Sequence, residues 1–211
     1  MNILVGCELS GRVRDAFRDA GHNAWSCDIL GPDSQEWWIY PAQRHPEFHL
    51  VGDVLDVLAR GVPGHNLPWD MLIAFPPCTF LSRAGLHWNK TIPGRAEETE
   101  RALEFVRQLF AFPVRRRCVE NPPGAIGSRI RPWTQKVSPH WFGDDASKDT
   151  CLWLDNLPEL TPTAPLIKDR YANQTESGQH NEQRSPSRGA RRSLTRPGLA
   201  RAMVQHWGRL T

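Results

Sequence analysis

Two strand-like segments of this chain end at paired prolines. Asp70–Phe75 (DMLIAF) runs into Pro76-Pro77, and Val114–Glu120 runs through Asn121 into Pro122-Pro123. Proline has a fixed φ and no N–H to donate, so a central strand cannot continue through two of them. Both segments must therefore leave the sheet at these points. The residues placed there, Cys78 after one pair and Glu120-Asn121 before the other, belong to the carboxyl ends of strands.

The remaining segments alternate between strand and helix patterns. Asn2–Gly6 is a short apolar run ending in glycine and reads as a strand. Gly11–Ala20 is helical, with Val13, Ala16 and Phe17 at i, i+3 and i+4 and Gly21 as its stop. Asn23–Ile29 and His49–Val54 read as strands, Asp56–Arg60 as a short helix, and Glu97–Phe112 as a long helix with Ala102, Val106, Leu109 and Phe110 on one face. Thr150–Leu154 is a sixth strand, and Pro197–Trp207 is a closing helix with Leu199, Ala202, Met203 and Trp207 on one side. This alternation predicts an α/β fold, Rossmann-like, with a mostly parallel sheet and helices on both faces. Such sheets bind ligands at the carboxyl ends of their strands.

The 211 residues suffice for one catalytic domain with a short appendage: a core over 1–168, a basic flexible segment over 169–196 and a returning helix over 197–211. With 39% hydrophobic and 23% charged residues the composition is that of an ordinary globular protein. No apolar run approaches the roughly 18 residues of a membrane span, and the start lacks a basic n-region, so neither membrane nor secretory routing is expected. The five cysteines are scattered without a CxxC pair, which favours a reducing cytoplasm and predicts neither a disulfide framework nor a zinc site. The eight histidines show no His-x3-His spacing, and no metal is expected. There is no internal repeat.

Net charge is +3, but it is unevenly spread. Lys168–Thr211 holds nine Lys/Arg against three Asp/Glu, while the rest holds 17 against 20. Within the basic end, Tyr171–Pro197 is rich in Gly, Ser, Asn, Gln and Arg. It reads either as a mobile surface loop or as an arm that contacts phosphates.

Five places carry candidate chemistry. Gly6-Cys7-Glu8-Leu9-Ser10-Gly11 is a strand-to-helix turn whose backbone can approach a ligand, although the GxGxxG spacing is absent. Asp28, followed by Ile29, suits ribose hydroxyls at the end of the second strand. Asp53, followed by Val54, suits an adenine amino group. Either acid can equally be a helix cap. Together the three places predict an adenosine-containing cofactor. Cys78 is the candidate nucleophile, because it follows a strand on a rigid elbow rather than lying within one. Cys118, Cys27 and Cys151 read as packing residues. Glu120 is the candidate acid or hydrogen-bond partner. Of the nine tryptophans, Trp37-Trp38 and Trp88 fall in loop-like segments near the active edge and read as packing under loops.

In this order the motifs resemble those of the DNA cytosine-5 methyltransferases: Gly6–Gly11, Asp28, Gly52-Asp53-Val54, Phe75-Pro76-Pro77-Cys78 with Ser82 and Ala84-Gly85, then Glu120-Asn121. More closely, the chain is similar to short phage and prophage members, through Lys148–Leu154 and Pro197–Met203. The resemblance implies S-adenosylmethionine, or a derivative of it, held by Gly6–Gly11, Asp28, Ile29, Asp53, Val54, Phe75 and Pro76. It implies a cytosine flipped out of DNA against Pro77, Thr79, Ser82, Asn121 and Pro122, with Cys78 attacking carbon 6 and Glu120 binding the ring. It also implies a bacterial or phage-infected cytoplasm, and no obligate protein partner is inferred. Arg184, in Gln183-Arg184 with Arg188, loosely matches the family's Gln-x-Arg-x-Arg arginine. The chain departs from the family at Thr79, where the family has Gln, and at Pro122, where it has Val. The family's large target-recognition domain has only Leu160–Pro197 to correspond to it, which implies little sequence specificity.

Three other readings stand beside this one. The same chemistry can act on free cytosine nucleotides or with a modified donor. Asn121-Pro122-Pro123 resembles the Asn-Pro-Pro-aromatic motif of amino-methyltransferases, with Gly124 where the aromatic should stand. A non-catalytic DNA-binding protein is the third.

Overall fold

The computed structural model describes residues 1–34, 44–65, 67–177 and 194–210. Its centre is a seven-stranded sheet in the order β3-β2-β1-β4-β5-β7-β6. The strands are β1 (Asn2–Gly6), β2 (Asn23–Asp28), β3 (His49–Val51), β4 (Met71–Ala74), β5 (Arg116–Asn121), β6 (Gln135–Val137) and β7 (Thr150–Asp155). β1 pairs in parallel with β2 on one side and β4 on the other, with Leu4 opposite Trp25 and Leu72. β2–β3 and β4–β5 are parallel too. The winding therefore reverses between β1 and β4, the place where a doubly wound sheet opens a crevice at its carboxyl edge.

β1 and β4 are apolar on both sides because both sides are covered. Leu4, Leu72 and Val119 meet α2 (Val54–Arg60), α4 (Arg95–Ala111), which follows the short α3 (Arg83–Leu86), and the short α5 (Ala125–Arg129). Ile3, Val5, Ile73 and Cys118 meet α1 (Arg12–Asp19) and α6 (Pro197–Trp207). This is the Rossmann-like α/β arrangement expected from the sequence. Cys27, Cys118 and Cys151 are buried, as their positions within strands predicted.

Three features differ from the sequence pattern. β7 runs antiparallel between β5 and β6, with Glu120 opposite Leu152, so it returns between two strands that share a direction. β6 and α5, three and five residues long, have too few residues to show a period. In α4 the buried stripe is Thr99, Leu103, Val106 and Leu109, with Ala102 and Phe110 only half-buried. Thr99 fits an apolar stripe because its hydroxyl donates to Phe80 O at 3.0 Å.

One charge is fully interior. Arg14 on α1 is buried, gives Nε to Asp15 at 2.8 Å and gives Nη1 to Ser26 Oγ at 2.8 Å. Ser26 in turn bonds His49 Nδ1 at 2.8 Å, so α1, β2 and β3 are tied by a polar chain beneath the edge.

Candidate active site

The carboxyl edge is built in two halves. In the first, the Cys7–Gly11 loop leaves β1 through two left-handed residues, Cys7 (φ 57°) and Gly11 (φ 67°). Gly6 has no room for a side chain, since a Cβ would lie 2.6 Å from Val54 Cγ2. Its carbonyl accepts from Phe75 N at 2.9 Å, which fastens β1 to the start of the Pro-Pro loop. Pro76 is buried and Phe75 half-buried behind that contact.

Glu8 departs from its expected role. Its carboxylate turns inward and accepts from Val13 N at 2.7 Å and Arg14 N at 3.3 Å, with Ser10 Oγ at 3.3 Å. The physical reason is that α1 begins at Gly11, which offers no side-chain cap, and Glu8 takes over the orphan N–H groups of the first turn. Burial holds this carboxyl above the usual range. Leu9 and Ser10 are buried with it.

Asp28 ends β2 half-buried, with Oδ1 accepting from Leu30 N at 3.0 Å, and burial raises its carboxyl above the usual range. Asp53 is exposed and caps α2 by accepting from Leu55 N at 2.8 Å. Between these two acids stand large uncovered aliphatic side chains, Ile29 at 77% and Val51 at 60% exposure. These carboxylates and the bare aliphatic surface follow β2 and β3 at the carboxyl edge, on the β2 side of the switch point.

The second half presents the thiol. After Pro76 and Pro77 the chain turns tightly, with Leu81 N and Ser82 N both donating to Cys78 O, at 3.1 and 2.9 Å. Cys78 is exposed, as are Pro77 and Thr79. The other four thiols are unsuited to nucleophilic work. Burial pushes Cys27 up to about 12 and Cys151 up to about 11, and drives Cys7 and Cys118 higher still. Cys78 is therefore the exposed thiol of the five, and it stands at the sheet's crevice.

The loops after β4 and β5 are stitched together. Asn121 Nδ2 donates to Pro76 O at 2.7 Å, Arg83 N to Pro123 O at 3.0 Å, and Ala125 N to Leu81 O at 2.8 Å. Ser82 and Gly124 form an isolated antiparallel bridge. Gly124 is required for this approach, because a Cβ would fall 1.9 Å from Leu81 O. No aromatic side chain fits at that position. Asn121 Oδ1 is buried without a hydrogen-bond partner, and Pro122 is half-buried beside it.

Glu120 is half-buried at the end of β5, where Thr150 Oγ1 donates to Oε1. Burial raises its carboxyl above the usual range, while Thr150 and the Lys148 charge pull it back down. Thr150 and Lys148 were not singled out for a role by sequence reasoning, although their segment was. Arg95 and Thr99 were missed as well. Arg95 Nη2 donates to Thr79 O at 3.0 Å, and with Thr99 it clasps the Cys78 loop onto α4. Only the antiparallel return of β7 brings Thr150 to Glu120, and no periodicity announces that.

Several expectations meet the structure elsewhere. Arg184 and Trp37-Trp38 lie outside the described residues. Trp88 is 47% exposed, so it does not pack under a loop, and its ring meets His87 at 4.4 Å between centroids. The segment from Tyr171, expected as a mobile arm, begins anchored: Ala172 N donates to Asp145 Oδ1 and Ser147 N to Asn173 Oδ1, each at 3.0 Å. No group of three or more His, Cys, Asp or Glu that could hold a metal occurs among the described residues, and none of their helices is long and apolar enough to cross a membrane.

No family model and no curated protein matches the chain. Among solved structures it is similar to a protein described as a candidate DNA modification methyltransferase encoded within an E. coli prophage. The identity is 15% and the TM-score 0.49, over 78% of this chain and 51% of that one. The chain thus spans about half the length of that protein. The fold and site themselves define a class: a doubly wound α/β domain with two carboxylates and an exposed cysteine at the carboxyl edge of its sheet.

Proposed function

We propose that this chain is an S-adenosylmethionine-dependent methyltransferase acting on carbon 5 of cytosine in DNA. The observation that carries the reading is the placement of Cys78. It is the exposed thiol among five, it sits on a loop stitched to the loop after Glu120, and it lies next to the switch point. The Asp28, Ile29, Val51 and Asp53 surface fits the adenosine half of the cofactor, which supplies an electrophilic methyl on its sulfonium sulfur.

Carbon 5 of cytosine is a poor nucleophile. Addition of the Cys78 thiolate to carbon 6 gives the ring enamine character and makes carbon 5 reactive. Glu120, held by Thr150, hydrogen-bonds ring nitrogen 3 and the exocyclic amine and stabilises the adduct as charge develops; burial favours the protonated form that such a bond to nitrogen 3 uses. Transfer of the methyl to carbon 5 leaves the donor's sulfur as a neutral thioether; a base then takes the carbon-5 proton, which restores the double bond and expels Cys78 as the thiolate. Carbon 6 is shielded in a stacked duplex, so the base must swing out to reach Cys78. Asn121 and the paired prolines fix the backbone around that position. The amino-methyltransferase alternative lacks its aromatic platform, since Gly124 abuts Leu81 O. Little chain between Leu160 and Pro197 is left for reading bases, and we expect a short or loose target sequence.

The test is nucleoside mass spectrometry on DNA from cells expressing the protein, beside Cys78→Ser. New 5-methylcytosine that disappears in the variant supports the reading. A heavier cytosine adduct keeps the mechanism and changes the donor. Unmodified DNA in the presence of folded protein overturns it.

A further inference from the structure

On the sheet face away from α4, helices α1 and α6 flank a groove of about 910 Å³, lined among others by Ser10, Arg12, Asp15, Asp19, Arg201 and Arg209. Ser10 belongs to the loop after β1, so the groove opens at the carboxyl edge beside the candidate site. By strand alternation Glu120 shares this face with Cys118, which packs in the α1–α6 core.

The charges in the groove are lopsided. Its two carboxylates are already engaged: Asp15 pairs with the buried Arg14, and Asp19 pairs with Arg44. Three arginines of the groove have no such partner. Among the described residues Arg12, Arg201 and Arg209, and Arg196 just ahead of α6, form no ion pair. Arg12 gives Nη1 to Thr195 O at 2.9 Å. Partial burial, and then the neighbouring charge of Arg196, make its protonated form harder to hold, and the charges of Glu8 and Asp144 offset this in part. An anion docked beside Arg12 in the groove adds to that offset. By contrast, Arg101 and Arg107 on α4 pair with Glu98 and Glu104.

We propose that the α1–α6 groove is a docking track for the phosphodiester backbone of duplex DNA. The proposal rests on the methyltransferase reading and names how that site holds its substrate. The spacing favours a polymer over a single phosphate. From Arg201 to Arg209 the chain advances about 12 Å at helical rise, whereas duplex DNA carries one phosphate per about 3.4 Å of each strand. Unpaired guanidiniums spread over that length, with Arg12 across the groove, match several successive phosphates.

The experiment measures fluorescence anisotropy of a labelled 30-base-pair duplex with the full chain across a salt series, without cofactor. The variants are Arg201→Gln/Arg209→Gln on the groove and Arg101→Gln/Arg107→Gln on α4, each checked by thermal melting. All four side chains lie away from the catalytic loops. Each lost phosphate contact lowers the slope of log K against log salt by about 0.9. The groove variant is therefore expected to lose about 1.8 in slope and to bind at least about tenfold more weakly near physiological salt, while the α4 variant matches wild type. An unchanged slope in the groove variant overturns the track and leaves cytosine methylation standing. Displacement of the duplex by millimolar inorganic phosphate at constant ionic strength also overturns it, in favour of a small-anion site. Absence of duplex binding by wild-type protein overturns the track. In that case 5-methylcytosine in cellular DNA decides whether the methyltransferase reading falls with it.

Discussion

The two halves of the carboxyl edge solve the same problem in opposite ways. After β1 the loop satisfies itself: Glu8 turns inward, caps α1 and is buried with Leu9 and Ser10. After β4 and β5 neither loop is self-sufficient, and each is held by the other through Asn121, Arg83 and Ala125. The first half offers a still surface of backbone and carboxylates. The second leaves one thiol exposed on an otherwise bonded frame. On the proposed reading that thiol must reach a substrate and cannot help to hold its own loop, so neighbouring residues do so.

That contrast is broken most sharply at Cys78. Cys78→Ala is expected to lower methyl transfer by about three orders of magnitude or more and to leave the thermal midpoint unchanged, because the side chain is exposed. Cys118→Ser is expected to do the reverse, lowering the midpoint through a buried hydroxyl. Purified-protein assays beside thermal melts check both. Gly124→Ala attacks the stitching itself. With Leu81 O where its Cβ must go, it should cost about 1–3 kcal/mol or more and lower activity at temperatures where the protein stays folded, read by denaturant melts and assays on the same samples.

In the self-sufficient half the expected effects fall on stability. Glu8→Ala leaves the N–H groups of Val13 and Arg14 buried and unpaired, at about 1–3 kcal/mol each. Glu8→Gln gives the sign of the charge effect. Burial raises the Glu8 carboxyl, so the folded state holds that proton more tightly than the unfolded chain does. This stabilisation is complete below the ordinary glutamate range and is lost as pH rises through the folded value. Urea melts from about pH 4 upward should therefore show wild type losing stability relative to Glu8→Gln. The smallest effect is expected at Asp53→Ala, about 1 kcal/mol for a lost helix cap, together with weaker cofactor binding by calorimetry.

The parts of the fold that were legible are those where one residue pattern has one physical outcome. β1 and β4 are short apolar runs because helices cover both their faces, and α6 shows its buried side at regular helical spacing. Paired prolines marked where β4 and β5 leave the sheet, which placed Cys78 and Glu120 at strand ends. The direction of β7 was not legible, because a strand's own residues do not encode which way it pairs. Thr150 was missed as Glu120's partner for that reason. The direction of the Glu8 side chain was not read from the sequence, because a carboxylate in a strand-to-helix loop can face outward or inward to orphan N–H groups. The absence of a capping side chain at Gly11 was the clue that it faces inward.

The packing of α6 also fixes an order of events. Met203 and Trp207 are fully buried against the sheet face that also holds Ile3, Val5 and Ile73. On that face β1 waits for α6, far along the chain. Until residues 197–207 have emerged from the ribosome, its Ile and Val side chains are covered only by α1 and by later segments such as those of Phe142 and Leu160. Contacts this distant in sequence form late and slowly, and apolar surface left open meanwhile is prone to aggregation. Synthesis of α6, more than any local step, completes this side of the domain.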